Sequence, residues 1–176
     1  MAVSGVPARI LTESTHLLPA RGRALDLACG LGVNALFLAR QGLQVSAWDV
    51  SQVAVTKLRA AAACKGLVVD ARIRDCERFP PEARSLDVLV VSNFLYRPIL
   101  PALVDSLRPG GMIVYTTHTL ERPDFMDGPS NPDYLLRRGE LLEVFGQLTV
   151  HAYREDGLTG DIRRGERGRA SIIASR

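Results

Sequence analysis

The chain has 176 residues, of which 47% are hydrophobic and 23% charged, a composition that suits one globular domain with a substantial core. The formal net charge of +3 is too small to indicate a polyanionic partner by itself. No apolar run approaches the roughly 20 residues of a membrane span, and the amino-terminal residues lack the basic start and apolar block of a secretion signal. Three cysteines without paired spacing and three scattered histidines indicate neither a disulfide framework nor a metal site. We therefore expect a cytoplasmic protein without a membrane segment or a bound metal.

Short apolar runs alternate with helical ones along the chain, which is typical of an α/β protein with a mostly parallel sheet and helices on both faces. After an amino-terminal helix or lead-in over 1–23, strands are predicted at 24–29, 44–49, 68–73, 86–92 and 111–117. Helices are predicted between them at 34–40, 52–63 and 98–107, the last of these ended by the prolyl-glycyl-glycine at 109–111. A polar loop over 118–132, a helix over 139–145 and strands at 148–154 and 169–174 complete the pattern.

The junction between the first strand and the first helix of the predicted sheet carries a glycine turn, at Gly30 and Gly32. Glycine lets the backbone approach a ligand without interference from a Cβ atom, and the start of a helix offers free N–H groups. Asp49 ends the second predicted strand, where a carboxylate can bind both hydroxyls of a ribose. The sequence therefore predicts a site for a nucleoside cofactor.

Two classes of cofactor fit this turn. Residues 30–35 satisfy the dinucleotide pattern Gly-x-Gly-x-x-Gly/Ala, with an acid further along the chain. Asp26, however, lies inside the first strand, where its charge would repel a pyrophosphate but attract an ammonium and a sulfonium. A dehydrogenase also needs a separate substrate-binding region, for which the chain leaves no length. The residues favour S-adenosylmethionine over a nicotinamide dinucleotide. If the chain bound a nicotinamide dinucleotide, its reduced form would be expected to quench the fluorescence of Trp48.

Four segments, in order, resemble motifs of the class I S-adenosylmethionine-dependent methyltransferases. Residues 26–32 resemble motif I, residues 45–51 the ribose-binding strand end, residues 74–76 the element whose aspartate reads the adenine amino group, and residues 107–111 the turn before the fifth strand. The stretch 34–49 is especially similar to the tellurite-resistance branch and its small-molecule relatives. One departure is Val33, where many members of that branch carry arginine, and this leaves the methionine carboxylate to backbone amides.

The resemblance implies a three-layer, Rossmann-like methyltransferase fold with seven strands and an antiparallel carboxy-terminal hairpin. It divides a single domain over 1–176 into the lead-in 1–23, a cofactor-binding core over 24–117, and an acceptor-side loop, last helix and hairpin over 118–176. The cofactor-binding residues that it implies are Asp26, Ala28, Gly30, Gly32, Asn34, Asp49, Val50, Asp75, Cys76 and Asn93. For two of them the residue type leaves another role open, since Asp75 could cap a helix and Asn93 could form a turn.

The methyl acceptor is expected at the carboxyl ends of the strands, between the segments 93–98 and 117–131. His118 and Tyr96 are the candidate catalytic residues there. Histidine, with an ordinary pKa of about 6.5, could take a proton from a thiol, hydroxyl or amine. The alternatives are that His118 is a surface or packing residue and that Tyr96 covers the pocket.

The predicted function is methyl transfer from S-adenosylmethionine, giving S-adenosylhomocysteine, to a small acceptor such as a thiol, an oxyanion of a group 16 element or a metabolite. Residues 94–98 lack the Asn/Asp-Pro-Pro-aromatic signature of enzymes that methylate nucleic-acid bases, which argues against a nucleic-acid partner. Arginines at 137–138 and 163–169 could form a basic rim for phosphates or carboxylates, or be solvated surface. The alternative function is a non-catalytic sensor or partner subunit that keeps the cofactor site. The sequence indicates no oligomeric state.

Overall fold

One seven-stranded sheet forms the centre of the molecule in the computed structural model, which describes residues 5–176. The strand order is β3-β2-β1-β4-β5-β7-β6, with β1 to β5 parallel and β7 antiparallel to both of its neighbours. The strands are β1 Arg23–Leu27, β2 Gln44–Asp49, β3 Val69–Ile73, β4 Leu86–Ser92, β5 Leu107–His118, β6 Thr149–Glu155 and β7 Arg169–Ser175. This arrangement confirms the predicted fold class, including the antiparallel carboxy-terminal hairpin.

Helices cover both faces of the sheet and complete the three layers. The first face carries α1 Arg9–Glu13, α2 Val33–Arg40 and α3 Gln52–Cys64, and the second carries α4 Leu100–Ser106 and α5 Glu140–Phe145. The two cores follow from strands that are apolar on both sides, since in β4 Val88 and Val90 pack toward α1 to α3 while Leu89 and Val91 pack toward α4 and α5. None of the helices within residues 5–176 is long and apolar enough to cross a membrane.

Several predicted boundaries need correction, among them the end of β1, which is Leu27 rather than residue 29, and the start of α4, which is Leu100 rather than residue 98. Strand β5 begins at Leu107 rather than at residue 111, and α4 ends at Ser106. The cause is a distant partner, because Gly110 N–H donates to the carbonyl of Arg176 (2.8 Å) and Arg176 N–H donates to that of Gly111 (2.9 Å). Of the predicted lead-in over 1–23, residues 9–13 form α1 and residues 15–17 a short 3-10 turn, while residues 1–4 lie outside the described residues.

The connection from β3 to β4, residues 74–85, contains turns and no helix. As a result the second face of β1 to β3 is left open, with a cavity of about 580 Å³ above it. Arg74 covers part of this face by stacking over the indole ring of Trp48, with 4.0 Å from the guanidinium carbon to the ring centroid. Its guanidinium also donates to the carbonyls of Phe79 and Pro80, which holds the connection against the sheet (3.0 and 3.2 Å).

Candidate active site

The glycine turn joins β1 to α2 at the carboxyl edge of the sheet. Three of its residues have left-handed backbone angles, with φ of 52° at Ala28, 52° at Gly30 and 73° at Gly32. The turn is held to β2 at two points. Cys29 N–H donates to the carbonyl of Trp48 (2.9 Å), and Gly30 N–H donates to Oδ2 of Asp49 (2.7 Å). The turn therefore has a fixed shape before any ligand arrives.

The structure requires glycine at these two positions of the turn for different reasons. A Cβ atom on Gly30 would meet no atom of the described residues within 4 Å, so this side of the turn faces open space. A Cβ atom on Gly32 would overlap the side chain of Leu58 on α3. The sequence interpretation gave both glycines the same task, backbone approach to a ligand. The structure keeps that explanation for Gly30 and adds helix packing as the reason for Gly32.

Asp26 is a buried carboxylate with one oxygen to spare. It is 1% exposed, and its Oδ2 accepts a hydrogen bond from the N–H of Ala35 in the first turn of α2 (2.9 Å). Its Oδ1 has no hydrogen-bond partner among residues 5–176. Burial raises the pKa of Asp26 to about 8. A buried acceptor without a donor is costly, and a positively charged ligand group would supply one.

Asp49 uses both carboxylate oxygens to shape the site. Oδ2 accepts from Gly30 N–H (2.7 Å), and Oδ1 accepts from Ser51 N–H at the start of α3 (2.8 Å). The side chain is half-exposed at the end of β2, and each oxygen keeps a second lone pair for a ligand hydroxyl. Asp49, the residue predicted to bind the ribose, thus also ties the glycine turn to the neighbouring strand.

Asp75 and Cys76, predicted to bind adenine, follow β3, and Val50, predicted to bind the cofactor, follows β2. Val50 is 67% exposed, and Cys76 is buried in the core, where burial raises its pKa to about 11. Asp75 does not cap a helix, which was the alternative left open by its residue type, because residues 74–85 contain none. Its Oδ1 accepts from the N–H of Glu77 (3.0 Å), which caps the turn after β3, and Oδ2 lies 3.6 Å from Arg78 Nε.

A cavity of about 590 Å³ opens at the carboxyl ends of β1, β4 and β5. Its walls include the turn residues Ala28 to Leu31 and polar side chains at the strand ends, and residues 5–9 form another side. Asn34 holds that amino-terminal segment, because its Oδ1 accepts from the N–H of Ala8 (2.8 Å). The predicted role of Asn34, as part of the turn that holds the methionine part of the cofactor, stays a prediction, and its side-chain oxygen also fixes a wall of the cavity.

Asn93, Arg169 and His118 form a hydrogen-bonded row at this edge. Arg169 donates to Oδ1 of Asn93, and its Nη1 lies 3.3 Å from Nε2 of His118. Asn93 lines the cavity, as predicted, with a left-handed φ of 57°. His118 is half-buried, and burial together with the cations Arg169 and Arg122 lowers its pKa.

The candidate catalytic residues lie apart from this cavity. In the described part of the chain, neither His118 nor Tyr96 is among its lining residues. The Nε2 atom of His118 faces Arg169, at 3.3 Å from its Nη1. Tyr96 lines a separate cavity of about 350 Å³.

The cavity contains functional groups that the sequence reasoning did not assign. Thr116, Glu166 and Arg169 line it, although only Arg169 was mentioned, as part of a basic rim. That rim is not one surface, because Arg167 is turned inward to bind carbonyls of its own loop, including that of Thr159 (2.9 Å). The signal that could have found Arg169 is its register, since it pairs directly with His118 across β5 and β7.

The model of the "Methyltransferase domain" family matches residues 24–111. The chain belongs to this family. The match confirms the prediction that the chain is an S-adenosylmethionine-dependent methyltransferase and not a dinucleotide-binding protein. Among curated proteins, the ubiquinone biosynthesis O-methyltransferase of Xanthomonas axonopodis pv. citri is 32% identical over an alignment of 117 residues that covers 63% of this chain and 49% of that protein. The chain thus spans about half the length of the curated relatives that it matches.

Solved structures share the fold at low identity. TehB from Haemophilus influenzae superposes with a TM-score of 0.78 and 20% identity, over 96% of this chain and 62% of that one. The geranyl diphosphate C-methyltransferase of Streptomyces coelicolor A3(2), solved with S-adenosyl-L-homocysteine, gives a TM-score of 0.72 and 14% identity, over 95% and 78% of the two chains. These likenesses support the Rossmann-like methyltransferase fold.

The residues of the turn fit S-adenosylmethionine. The spare buried oxygen of Asp26 suits the cofactor's positive charge, and the open side of Gly30 leaves room where a side chain would intrude. A pyrophosphate would have to lie close to the same carboxylate, which disfavours it.

Proposed function

We propose that this chain is a methyltransferase that acts on a small acceptor, a thiol, an oxyanion or a metabolite, and that it is related to the tellurite-resistance branch. The observation that supports this most is the buried, half-satisfied carboxylate of Asp26 behind a glycine turn, next to a cavity of about 590 Å³. That volume suits a small molecule. A single domain over 1–176 is part of the proposal, and the carboxy-terminal hairpin supports it by continuing the same sheet. The cytoplasmic location stays a prediction.

The proposed roles follow the strand ends. Asp26 and the turn with Ala28, Gly30 and Gly32 hold the methionine part, and Asn34 contributes its backbone. Asp49 binds the ribose, while Val50, Asp75 and Cys76 surround the adenine and Asn93 lies near the transferable methyl. When bound, S-adenosylmethionine supplies a methyl group on a positively charged sulfur, which the acceptor's lone pair displaces in line.

The chain's own contribution to the reaction is alignment and removal of water. Methyl transfer from a sulfonium needs no strong base, because positioning and desolvation already lower the barrier. His118 and Tyr96 stay candidate catalytic residues, but for either to reach an acceptor in the cavity the segments 93–98 or 118–131 have to move. We therefore propose that transfer depends on the cavity walls more than on a general base.

Titration calorimetry with S-adenosylmethionine and S-adenosylhomocysteine tests the cofactor site, and absence of heat from folded protein contradicts it. Single-turnover transfer from methyl-radiolabelled cofactor then tests catalysis, with a pooled metabolite extract and, separately, selenite and tellurite as acceptors. Labelled product supports an enzyme. Cofactor binding without any labelled product supports the second candidate, a sensor or partner subunit. This candidate is retained because no acceptor-binding residues have been assigned.

Replacing Asp49 with alanine is expected to weaken S-adenosylhomocysteine binding about ten- to a hundredfold, because hydrogen bonds from the ribose and the tie to Gly30 are both lost. Calorimetry measures the change. The matched control is Asp70→Ala, which removes an exposed carboxylate paired with Arg72 and should leave the affinity unchanged. Equal affinities of the Asp49 variant and the wild type would contradict the ribose assignment.

A further inference from the structure

Arg169 occupies the edge of the sheet where a methyl acceptor would bind. It is the first residue of β7, and because β7 runs antiparallel to β5, its start lies beside the end of β5. Its cross-strand partner is His118, and its side chain lines the cavity together with Gly30 and Asn93. The fold therefore brings a guanidinium to the same cavity as the glycine turn.

Two neutral side chains hold this guanidinium in place. Asn93 accepts from Nη2 through Oδ1, and the backbone N–H of Asn93 is itself fixed to the carbonyl of Thr116 (3.0 Å). On the other side, Nη1 lies 3.3 Å from His118 Nε2. A guanidinium can only donate, so His118 must accept with an unprotonated Nε2 and be neutral. Arg169 is thus oriented without being neutralised.

The charge of Arg169 is only partly balanced. No carboxylate of residues 5–176 forms an ion pair with it, whereas Arg97 is paired with Glu140 (2.7 Å) and Arg154 with Asp156 (2.7 Å). Glu166 lines the same cavity, and its charge raises the pKa of Arg169, but burial lowers that pKa by more. The guanidinium stays protonated. A half-buried cation without a carboxylate in contact is unfavourable, and a bound anion would compensate it.

We infer that the methyl acceptor carries an oxyanion group, and that Arg169 binds this group and selects for it. The inference rests on the proposed function and narrows its acceptor class. Two of the five N–H donors of the guanidinium are engaged, which leaves donors for an oxyanion at the cavity wall. Asn93 and His118 act as positioning residues through Arg169. The oxyanion can be an organic carboxylate or an inorganic anion.

The test compares charged and neutral molecules of the same shape. Calorimetry with S-adenosylhomocysteine-loaded protein uses two pairs, 3-mercaptopropionate against 3-mercaptopropionamide and 4-hydroxybenzoate against 4-hydroxybenzamide, and selenite as the inorganic probe. We expect the charged member to bind about tenfold or more tightly, as charge-assisted hydrogen bonds imply. Preference within the organic pairs indicates a carboxylate acceptor, and tight binding of selenite alone indicates an inorganic one.

Variants assign the preference to Arg169. Arg169→Met should abolish the preference for the charged probe, and Arg169→Lys should keep part of it. The control is Arg163→Met, which replaces an exposed arginine of the loop that precedes β7 and should keep the whole preference. His118→Ala should weaken the charged probes but not the neutral ones, and His118→Gln, which still offers an acceptor, should restore them. Affinity for S-adenosylhomocysteine should stay within about twofold throughout, which shows that the fold and the cofactor site are intact.

Two results would overturn the inference: a wild type with no preference for any charged probe, or an Arg169→Met variant that keeps the preference. Failure of the proposed function is distinguishable, because it appears as loss of S-adenosylhomocysteine binding by the wild type. The same titrations on cofactor-free protein then still decide whether Arg169 selects anions.

Discussion

Replacing Asp26 with asparagine is expected to weaken S-adenosylmethionine binding about a hundredfold, while the protein stays folded. The carboxylate is buried, and its spare oxygen is the group that we assign to the cofactor's cationic end. Loss of one partner of a buried charged pair commonly costs this much or more. Asparagine has the same shape and can still accept the hydrogen bond from Ala35, so the start of α2 should be preserved. Calorimetry with S-adenosylmethionine measures the effect, and equal affinities would contradict the assignment.

The raised pKa of Asp26 adds a pH dependence with a definite sign. Burial moves it from an ordinary 3.8 to about 8, so in this interval the folded protein holds a proton that the unfolded chain has lost. The contribution of Asp26 to the free energy of unfolding is therefore complete below its ordinary pKa of 3.8. It is lost as the pH rises to about 8, by at most about 1.4 kcal/mol for each pH unit. Asp26→Asn should lack this slope. Thermal unfolding of both proteins at several pH values measures it, and parallel curves would contradict the shift.

The same shift predicts proton release on cofactor binding. A positive ligand favours the ionised carboxylate, so at pH 7 the wild type should release up to about one proton from Asp26. Calorimetry in buffers of different ionisation enthalpy measures the number of protons. Asp26→Asn is the control that should release none from this site.

Replacing Gly32 with alanine is expected to lower the free energy of unfolding by about 2–4 kcal/mol, whereas Gly30→Ala should cost only about 1 kcal/mol. Both glycines have a positive φ, but only at Gly32 does a Cβ overlap a neighbour, Leu58. The order should reverse for function. A methyl group on Gly30 points into the open side of the turn, so this variant should lose cofactor affinity. Urea unfolding and calorimetry measure the two effects.

A second substitution identifies the cause of the Gly32 effect. Leu58→Ala removes the overlapping atoms, so in the Gly32→Ala background it should cost less than it does alone. Additive losses in this double-mutant cycle would show that backbone strain, and not the contact with α3, requires glycine.

Sequence patterns predicted the central strands of the sheet well. Strand β4 has the predicted bounds of 86–92, because a run that is apolar on both sides of a parallel strand has clear ends. Strand β2 also has its predicted bounds of 44–49, although one of its faces is open. The start of β5 was missed, since Leu107 pairs with Leu86 of β4 and Gly110 bonds to Arg176, and local pattern cannot reveal such distant partners.

Sequence reasoning likewise located some of the site residues and missed the contacts of others. The glycine turn, Asp26 and Asp49 could be located from sequence because their roles follow from backbone conformation and strand ends. The partners of Asn34 and His118 could not, since Asn34 binds Ala8, 26 positions away, and His118 contacts Arg169, 51 positions away. Side-chain contacts at such separations depend on how the sheet edge is assembled, and a one-dimensional pattern does not contain them.

The amino-terminal segment at residues 5–9 lines the cavity but is not part of the sheet. It forms a wall of the cavity, and it is held by the hydrogen bond from Ala8 N–H to Asn34 Oδ1 and by packing of Ala8 against the core beneath α1 to α3. The seven strands determine whether the chain folds, and this short stretch helps to set the size of what enters. We therefore expect substitution of Val6, which is 87% exposed and lines the cavity, to change the cavity wall at little cost to the scaffold, which makes it the place to begin altering acceptor choice.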